Sequence, residues 1–480
     1  MNKSKVIVVG GGAAGIAAAT RLVLNGFQNV TVLEAENRLG GRCNTVSLGD
    51  ECVDLGAQWI HGEKENVAYE IAAPLNLTKP SVVGHETLAH SRFIKPDGSI
   101  LSPEVSTQLY CRCAEIVHSA SESDLSTNRA LSLGEVFITR FNKIAESLKE
   151  ELNISDQDIE QFLEWFHKFE NSIEACDSWF DVSFEGFLKY EDCEGNLNIA
   201  WESGGYSNII DLLLQKIPKT KSEIQLNVLF GKEVTQIIRN QELSVKCADN
   251  SVYVADHVIV STSLGVLKQN ALSMFSPHLP YKKLQAINAL EFGVAEKLFL
   301  QFPYRWWPED TVSFNILLDS AMKEDLRQFG KEWLVDVFTF FTVDNAKTTL
   351  CGWAGRNSVR YISNLSDETV RDDLFFLLKM YLSTLYEIPA PSRFIRSNWF
   401  GNPHFRGAYS YVTVKANVSR LSSEDLAEPV VDKFGKPVLL FAGEATHSHF
   451  FSTVHGAIET GWREADRLIA FYKKLLKPSL

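Results

Sequence analysis

Residues 5–15 read K-V-I-V-V-G-G-G-A-A-G. Lys5 to Val9 is a short apolar, β-branched run of the kind buried in a parallel sheet. Gly10, Gly12 and Gly15 then fit G-x-G-x-x-G, with Ala14 inside the turn. Ile16–Leu24 is Ala-rich and reads as a helix. Asn29–Leu33 reads as a second strand, which delivers Glu34 about 20 residues behind the glycines. Strand, glycine turn, helix, strand and acid together make a dinucleotide-binding fingerprint. The glycines let backbone N–H groups approach a pyrophosphate, and the helix N-terminus favours its charge. Glu34 is placed to accept hydrogen bonds from an adenosine ribose.

The next residues extend the reading. V-L-E-A-E-N-R-L-G-G-R (32–42) sets Gly40, Gly41 and Arg42 just behind the acid. A nicotinamide cofactor has no use for them. FAD is longer, and a second backbone loop can touch its phosphates while a guanidinium neutralises them. L-G-A-Q-W-I-H-G (55–62), with Gln58 and Trp59, is expected to pass beneath an isoalloxazine. The late A-G-E-A-T (442–446) would bring Glu444 to the phosphate and ribityl region.

Composition sets outer bounds. The chain has 480 residues and a formal charge of −13, which disfavours a nucleic-acid partner and suits a cationic one. No run approaches the roughly 18 apolar residues of a membrane span. The first strand begins almost at once, and the eight cysteines (43, 52, 111, 113, 176, 193, 247, 351) form no C-x-x-C pair. Free thiols and a cytoplasmic location are therefore expected. The final Pro-Ser-Leu is a weak match to a peroxisomal S-K-L address.

Residues 1–75 are α/β in pattern. Leu133–Leu152 and Asp156–Ala175 carry helical spacing, and Ser155 with Asp158 resembles a capping box. Strand-like segments return at Ile224–Leu229, Val234–Ile238, Leu243–Cys247 and Val258–Val260. A further strand, Pro437–Ala442, precedes a helix from about His455. The expected fold is α/β: a discontinuous, Rossmann-like FAD domain from 1–75, 201–275 and 402–480. Residues 76–200 and 276–401 should form an α+β substrate domain with a mixed sheet and helices.

G-G-G-A-A-G (10–15), E-A-x-x-R-x-G-G-R (34–42), L-G-A-Q-W-I-H-G, V-I-V-S-T-S-L-G-V-L-K (258–268), W-F-G-N-P-H-F-R-G-A-Y-S-Y (399–411) and A-G-E-A-T-H-S-H-F-F-S-T-V-H-G-A (442–457) resemble the flavin-containing amine oxidases. The likeness is strongest to the branch acting on spermine and N1-acetylated polyamines, and it covers nearly the whole chain. It implies oxidation of a carbon–nitrogen bond by hydride transfer to flavin N5, with dioxygen reduced to hydrogen peroxide.

The resemblance also assigns roles. Lys297 matches the lysine that holds a water beside flavin N5, and a lone lysine among Val294 and Leu298–Leu300 is costly to bury without a task. His61 matches the histidine that meets the amine, and only a neutral amine donates hydride. Tyr409, with Trp399 and Phe405, matches an aromatic slot suited to a cation. Val234 matches the position whose backbone meets adenine. Thr453 and Val454 precede a helix whose N-terminus would face the flavin pyrimidine, with Thr453 also near substrate. Glu191, Asp192 and Glu194 are expected to border the substrate tunnel and meet distal amines.

The family's covalent-flavin cysteine has no counterpart in 444–456, so non-covalent FAD is implied. Thr262 stands where the family usually has a small or apolar residue. His447, His449 and His455 are read without a metal, since the resemblance accounts for that segment and Glu444 already has a cofactor role. Competing readings are a monoamine or amino-acid oxidase and a flavin-binding protein without turnover. A histone-tail demethylase would bring an inserted coiled coil, which the sequence lacks.

Overall fold

The computed structural model describes residues 3–119 and 130–475. The C-terminal Pro-Ser-Leu lies outside them. A six-stranded sheet carries, in spatial order, residues 430–431, 437–441, 257–260, 5–9, 29–33 and 227–229. All neighbours pair parallel except the 430–431 edge. Parallel strands must be covered on both faces. One face lies under the first helix, Ala13–Leu24, and the last, Val454–Leu475, through a core of Val6, Val8, Ala18, Leu22, Ile259 and Leu468. These helices pack closely enough that a Cβ on Gly461 would stand 2.2 Å from the Ala14 carbonyl oxygen. The other face packs on a four-stranded sheet of residues 252–255, 243–247, 234–239 and 275–276.

A third, seven-stranded sheet runs in the order 393–396, 295–301, 346–355, 337–343, 313–316, 91–94 and 100–101. Every residue of 295–301, 313–316 and 337–343 is buried. Helices 103–118, 133–152 and 156–174 join it through Phe93, Phe137, Phe166 and Phe338. On its other side Leu298 and Phe340 share a core with Leu377 of the helix Asp367–Leu382.

Several elements differ from expectation for identifiable reasons. The strand expected over Ile224–Leu229 is confined to Asn227–Leu229, because the Ile224 amide bonds the Leu214 carbonyl instead. Val252–Ala255 is an additional strand, returned against Leu243–Cys247 by a turn with Asn250 at φ +67. Ser155 caps the Asp158 amide at 3.1 Å, but the reciprocal capping box is built by Ser132 and Glu135. The last helix starts at Val454, with Thr453 Oγ1 accepting from the Gly456 amide at 3.0 Å.

Candidate active site

A cavity of about 1610 Å³ runs from the glycine fingerprint to the seven-stranded sheet. At the fingerprint end the spacing works as local chemistry demands. Gly10 has φ +102, open to glycine without strain, and a Cβ on Gly15 would stand 2.0 Å from the Gly10 carbonyl oxygen. Gly12 pairs with Gly40 in a parallel bridge, and a Cβ on Gly41 would stand 3.2 Å from Gly12 Cα. Two backbones therefore meet where a phosphate would lie.

Glu34 ends its strand in the cavity wall. Its Oε2 accepts from the Gly11 amide at 2.6 Å and its Oε1 from the Glu36 amide at 2.7 Å. Burial raises its pKa against those two bonds. A carboxylate has about four lone-pair sites, so acceptor capacity for a ribose remains. Val234 is buried at the same end.

Arg42 and Glu444, read in sequence as separate cofactor contacts, are each other's partners at 2.9 Å. Arg42 Nη1 also donates to the Ala408 carbonyl at 2.6 Å. Glu444 Oε2 accepts from the Ser410 hydroxyl at 2.6 Å and the Ser452 amide at 2.9 Å. Glu444 is thus a hub between three segments, and Arg42 reaches the cavity from that anchor.

At the sheet end lies Lys297, 5% exposed. Its Nζ donates to Gln58 Oε1 at 2.7 Å, the Gly56 carbonyl at 2.8 Å and the Asp54 carbonyl at 3.1 Å. The ammonium sits 5.6 Å from the Trp59 ring centroid and 5.7 Å from that of Trp353. Burial pushes its pKa down to about 8. The family water expected on Lys297 would have to share a nitrogen whose three donors already have acceptors.

His61 Nδ1 lies 2.7 Å from the Leu197 carbonyl. A carbonyl can only accept, so Nδ1 carries the proton and Nε2 keeps its lone pair. Burial lowers the ring's pKa, which keeps it neutral near pH 7. Tyr409 is pinned by its hydroxyl to the Ser172 carbonyl at 2.5 Å. Trp399 meets Phe405 edge-on at 5.0 Å between ring centroids and donates Nε1 to the Leu55 carbonyl. All of these residues line the cavity, as do Gln58, Trp59, Thr453 and Val454.

The acidic loop divides. Asp192 is exposed but lines the cavity and acts electrostatically on His61. Glu194 is exposed and ion-paired with Lys64 at 2.6 Å. Glu191 is exposed, with its amide on the His449 carbonyl, and neither it nor Glu194 is in the cavity wall. The acid that sequence reading missed is Glu174, which lines the cavity between Tyr190 and Tyr409 with its pKa pushed up to about 7 by burial. Its signal was present: Glu170 and Glu174 follow Phe166 at steps of four on the apolar stripe of their helix.

The histidines near the last helix are engaged elsewhere. His447 Nε2 meets Glu459 at 3.1 Å, and His455 lies between Asn66 Nδ2 at 3.4 Å and Cys193 Sγ at 3.8 Å. Among the described residues no group of three or more His, Cys, Asp or Glu could hold a metal ion.

The residues fit a flavin. Gln58 Nε2, Thr262 Oγ1 and Trp353 Nε1 are buried in the cavity wall without a hydrogen-bond partner among the described residues. Such atoms are costly unless a ligand answers them. The family model for flavin containing amine oxidoreductases matches residues 13–469.

The chain belongs to that family. This amine oxidoreductase is 30% identical to the peroxisomal N(1)-acetyl-spermine/spermidine oxidase of Bos taurus, over 98% of its own length and 95% of the relative's. It is 27% identical to the probable polyamine oxidase 5 of Arabidopsis thaliana, over 98% and 99%. It is 29% identical to the human lysine-specific histone demethylase 2, over 98% of this chain and 54% of that protein. Among the described residues of this amine oxidoreductase no helix is long and apolar enough to cross a membrane.

Proposed function

We propose that this chain is an FAD-dependent polyamine oxidase acting on spermine or an N1-acetylated polyamine. The observation that carries the reading is one cavity joining the glycine fingerprint to Lys297, His61 and Tyr409. FAD, held non-covalently, would supply the two-electron acceptor for a hydride from the carbon beside the amine and pass those electrons to dioxygen as hydrogen peroxide. The imine product hydrolyses to an aldehyde and a shorter amine.

The protein's part is to bind, orient and deprotonate. Gly12, Gly41 and Arg42 would hold the phosphates, and Glu34 the ribose. Gln58, Trp59 and Trp399 would floor the ring site. The N-terminus of the helix that Thr453 caps places positive potential toward the ring. Neutral His61, with a free Nε2, accepts a proton from the incoming ammonium. Glu174 and Asp192 attract its charge, and Tyr409 offers a ring face. On this reading 1–75, 201–275 and 402–480 form the FAD domain and 76–200 and 276–401 the substrate domain, with Leu279, Ile287 and Leu290 of the latter packed into the core of the former.

An amino-acid oxidase is disfavoured. Arg42 is the one arginine among the described cavity-lining residues, and Glu444 already neutralises it. The test is to record the flavin spectrum and then peroxide release with spermine, N1-acetylspermine, a monoamine and amino acids. Turnover confined to the polyamines is expected. Turnover confined to a monoamine or an amino acid would overturn the reading.

A further inference from the structure

Strands 337–343 and 346–355 are joined by Asp344 and Asn345. This turn leaves the seven-stranded sheet and grips segments that wall the cavity. Asp344 Oδ1 accepts from the Val82 amide at 2.7 Å. Its Oδ2 accepts from the Ser81 hydroxyl at 2.9 Å and from Trp59 Nε1 at 3.3 Å. Ser81 Oγ accepts from the same indole at 3.0 Å and from the Val83 amide at 3.0 Å. Asn345 accepts from the Lys79 ammonium at 2.8 Å and donates to the Trp201 carbonyl at 2.8 Å. Trp59, Ser81 and Val83 line the cavity, and Asp344 holds them from outside its wall.

What the turn fixes is the Trp59 ring. Its N–H is shared between Ser81 and Asp344, and it packs on Phe341 at 5.7 Å between ring centroids. The Trp59 centroid also stands 5.6 Å from Lys297 Nζ, within the range where an aromatic ring attracts a cation. Hydrogen bonds to charged acceptors are the stronger ones, and coupled bonds polarise one another. A carboxylate on the indole N–H therefore makes the ring a better neighbour for the ammonium. The three Lys297 donors go to neutral carbonyl oxygens, so its charge is answered only from a distance, by Asp54 and Asp344. Asp54 is itself engaged with the Thr45 hydroxyl and the Tyr206 amide. The other groups about Lys297 are the Cys351 thiol, pushed up to about 12 by burial, and His61, kept neutral by burial. Glu296, next in the strand, is turned to Ser397 and the Trp399 amide.

We infer that Asp344 is a positioning residue for the reaction: it holds the Trp59 indole by its N–H and so sets the ring against Lys297. The inference rests on the amine-oxidase reading, in which Trp59 floors the flavin ring and Lys297 stands beside it.

The protein as isolated, labelled with nitrogen-15 at tryptophan, tests it. The Trp59 indole resonance is assigned by its loss in Trp59→Phe. In wild type it should shift with an inflection near pH 8, where Lys297 titrates, and Lys297→Met should abolish that inflection. Asp344→Asn removes a negative charge, so Lys297 should lose its proton more readily. The variant should move the resonance upfield and the inflection down by about half a pH unit. In the holoenzyme it should slow flavin reduction by spermine or N1-acetylspermine about fivefold, as one lost hydrogen bond would. Added to Trp59→Phe it should cost nothing more, because the donor it acts on is gone. Asp344→Glu should restore the rate. Tm and flavin content report on folding. Ser81→Ala is the second variant should Asp344→Asn fail to fold: the carboxylate keeps the indole, so the inflection should stay in place. If neither amine reduces a flavin, the oxidase reading fails, and the indole resonance still decides the positioning. A wild-type resonance without the inflection, a resonance unmoved in well-folded Asp344→Asn, additive losses with Trp59→Phe, or an inflection that moves in Ser81→Ala would overturn the inference.

Discussion

Gln58 offers its carbonyl oxygen to Lys297 Nζ at 2.7 Å and leaves its own Nε2 without a partner among the described residues. One side chain thus fixes the cation and keeps an unpaired donor buried in the cavity wall. Lys297→Met should retain the flavin yet slow reduction or reoxidation by about tenfold or more, a barrier increase of about 1.4 kcal/mol or above. Stopped-flow traces of both half-reactions decide it, and wild-type rates in both would remove Lys297 from the mechanism.

The pH profile should identify His61. Its lowered pKa means the ring stays neutral as pH falls through the ordinary imidazole range and protonates only below it. The acid limb of kcat/KM should therefore lie below pH 6.5, and His61→Gln should abolish that limb. A limb that survives in the variant belongs to another group.

Asp192 and Glu194 should behave differently although only Cys193 separates them. Asp192→Asn should raise the polyamine KM several-fold, because Asp192, though exposed, lies in the cavity wall. Glu194→Gln should change it less than twofold, since an exposed pair such as Glu194–Lys64 contributes about 0–1 kcal/mol. Equal effects would contradict the division of the loop.

Glu170 makes a stability prediction. Burial holds its proton up to about pH 8, whereas the unfolded chain releases it near 4.5. Between those values the native state binds more protons, so stability falls as pH rises. Glu170→Gln should raise stability at pH 8 by an amount on the order of 2–4 kcal/mol, with the gap closing below pH 4.5. Thermal unfolding of both proteins across pH 4–8 measures it, and a gap independent of pH would point to packing instead.

The glycine fingerprint should be intolerant of one added carbon. Gly15→Ala sets a Cβ 2.0 Å from a backbone oxygen. Flavin per chain and Tm should both fall, and full retention after dialysis would show that the turn yields.

The opening strand, the glycines and Glu34 were legible because their chemistry is local, with every constraint acting within about 30 residues. The C-terminal strand and helix were legible for the same reason. The pairing of Arg42 with Glu444 was not, since it joins positions 402 residues apart. Asp192 and Glu194 read alike in sequence, and only the fold separates a wall from a surface. Glu174 was hidden in a helix whose apolar stripe drew attention to packing. The contact of Asp344 with Trp59 could not be read at all, because it joins positions 285 residues apart.

The first helix packs on the last, and the strand at 437–441 lies beside the one at 257–260. During synthesis the fingerprint therefore leaves the ribosome long before its partners. The nascent glycine turn has no Gly461 against it and no Glu444 to anchor Arg42. Stable flavin capture becomes a post-translational event, completed after the last helix emerges. Chains stalled before residue 437 should carry no yellow colour, and for most of translation the half-built cradle depends on whatever shields its exposed strands.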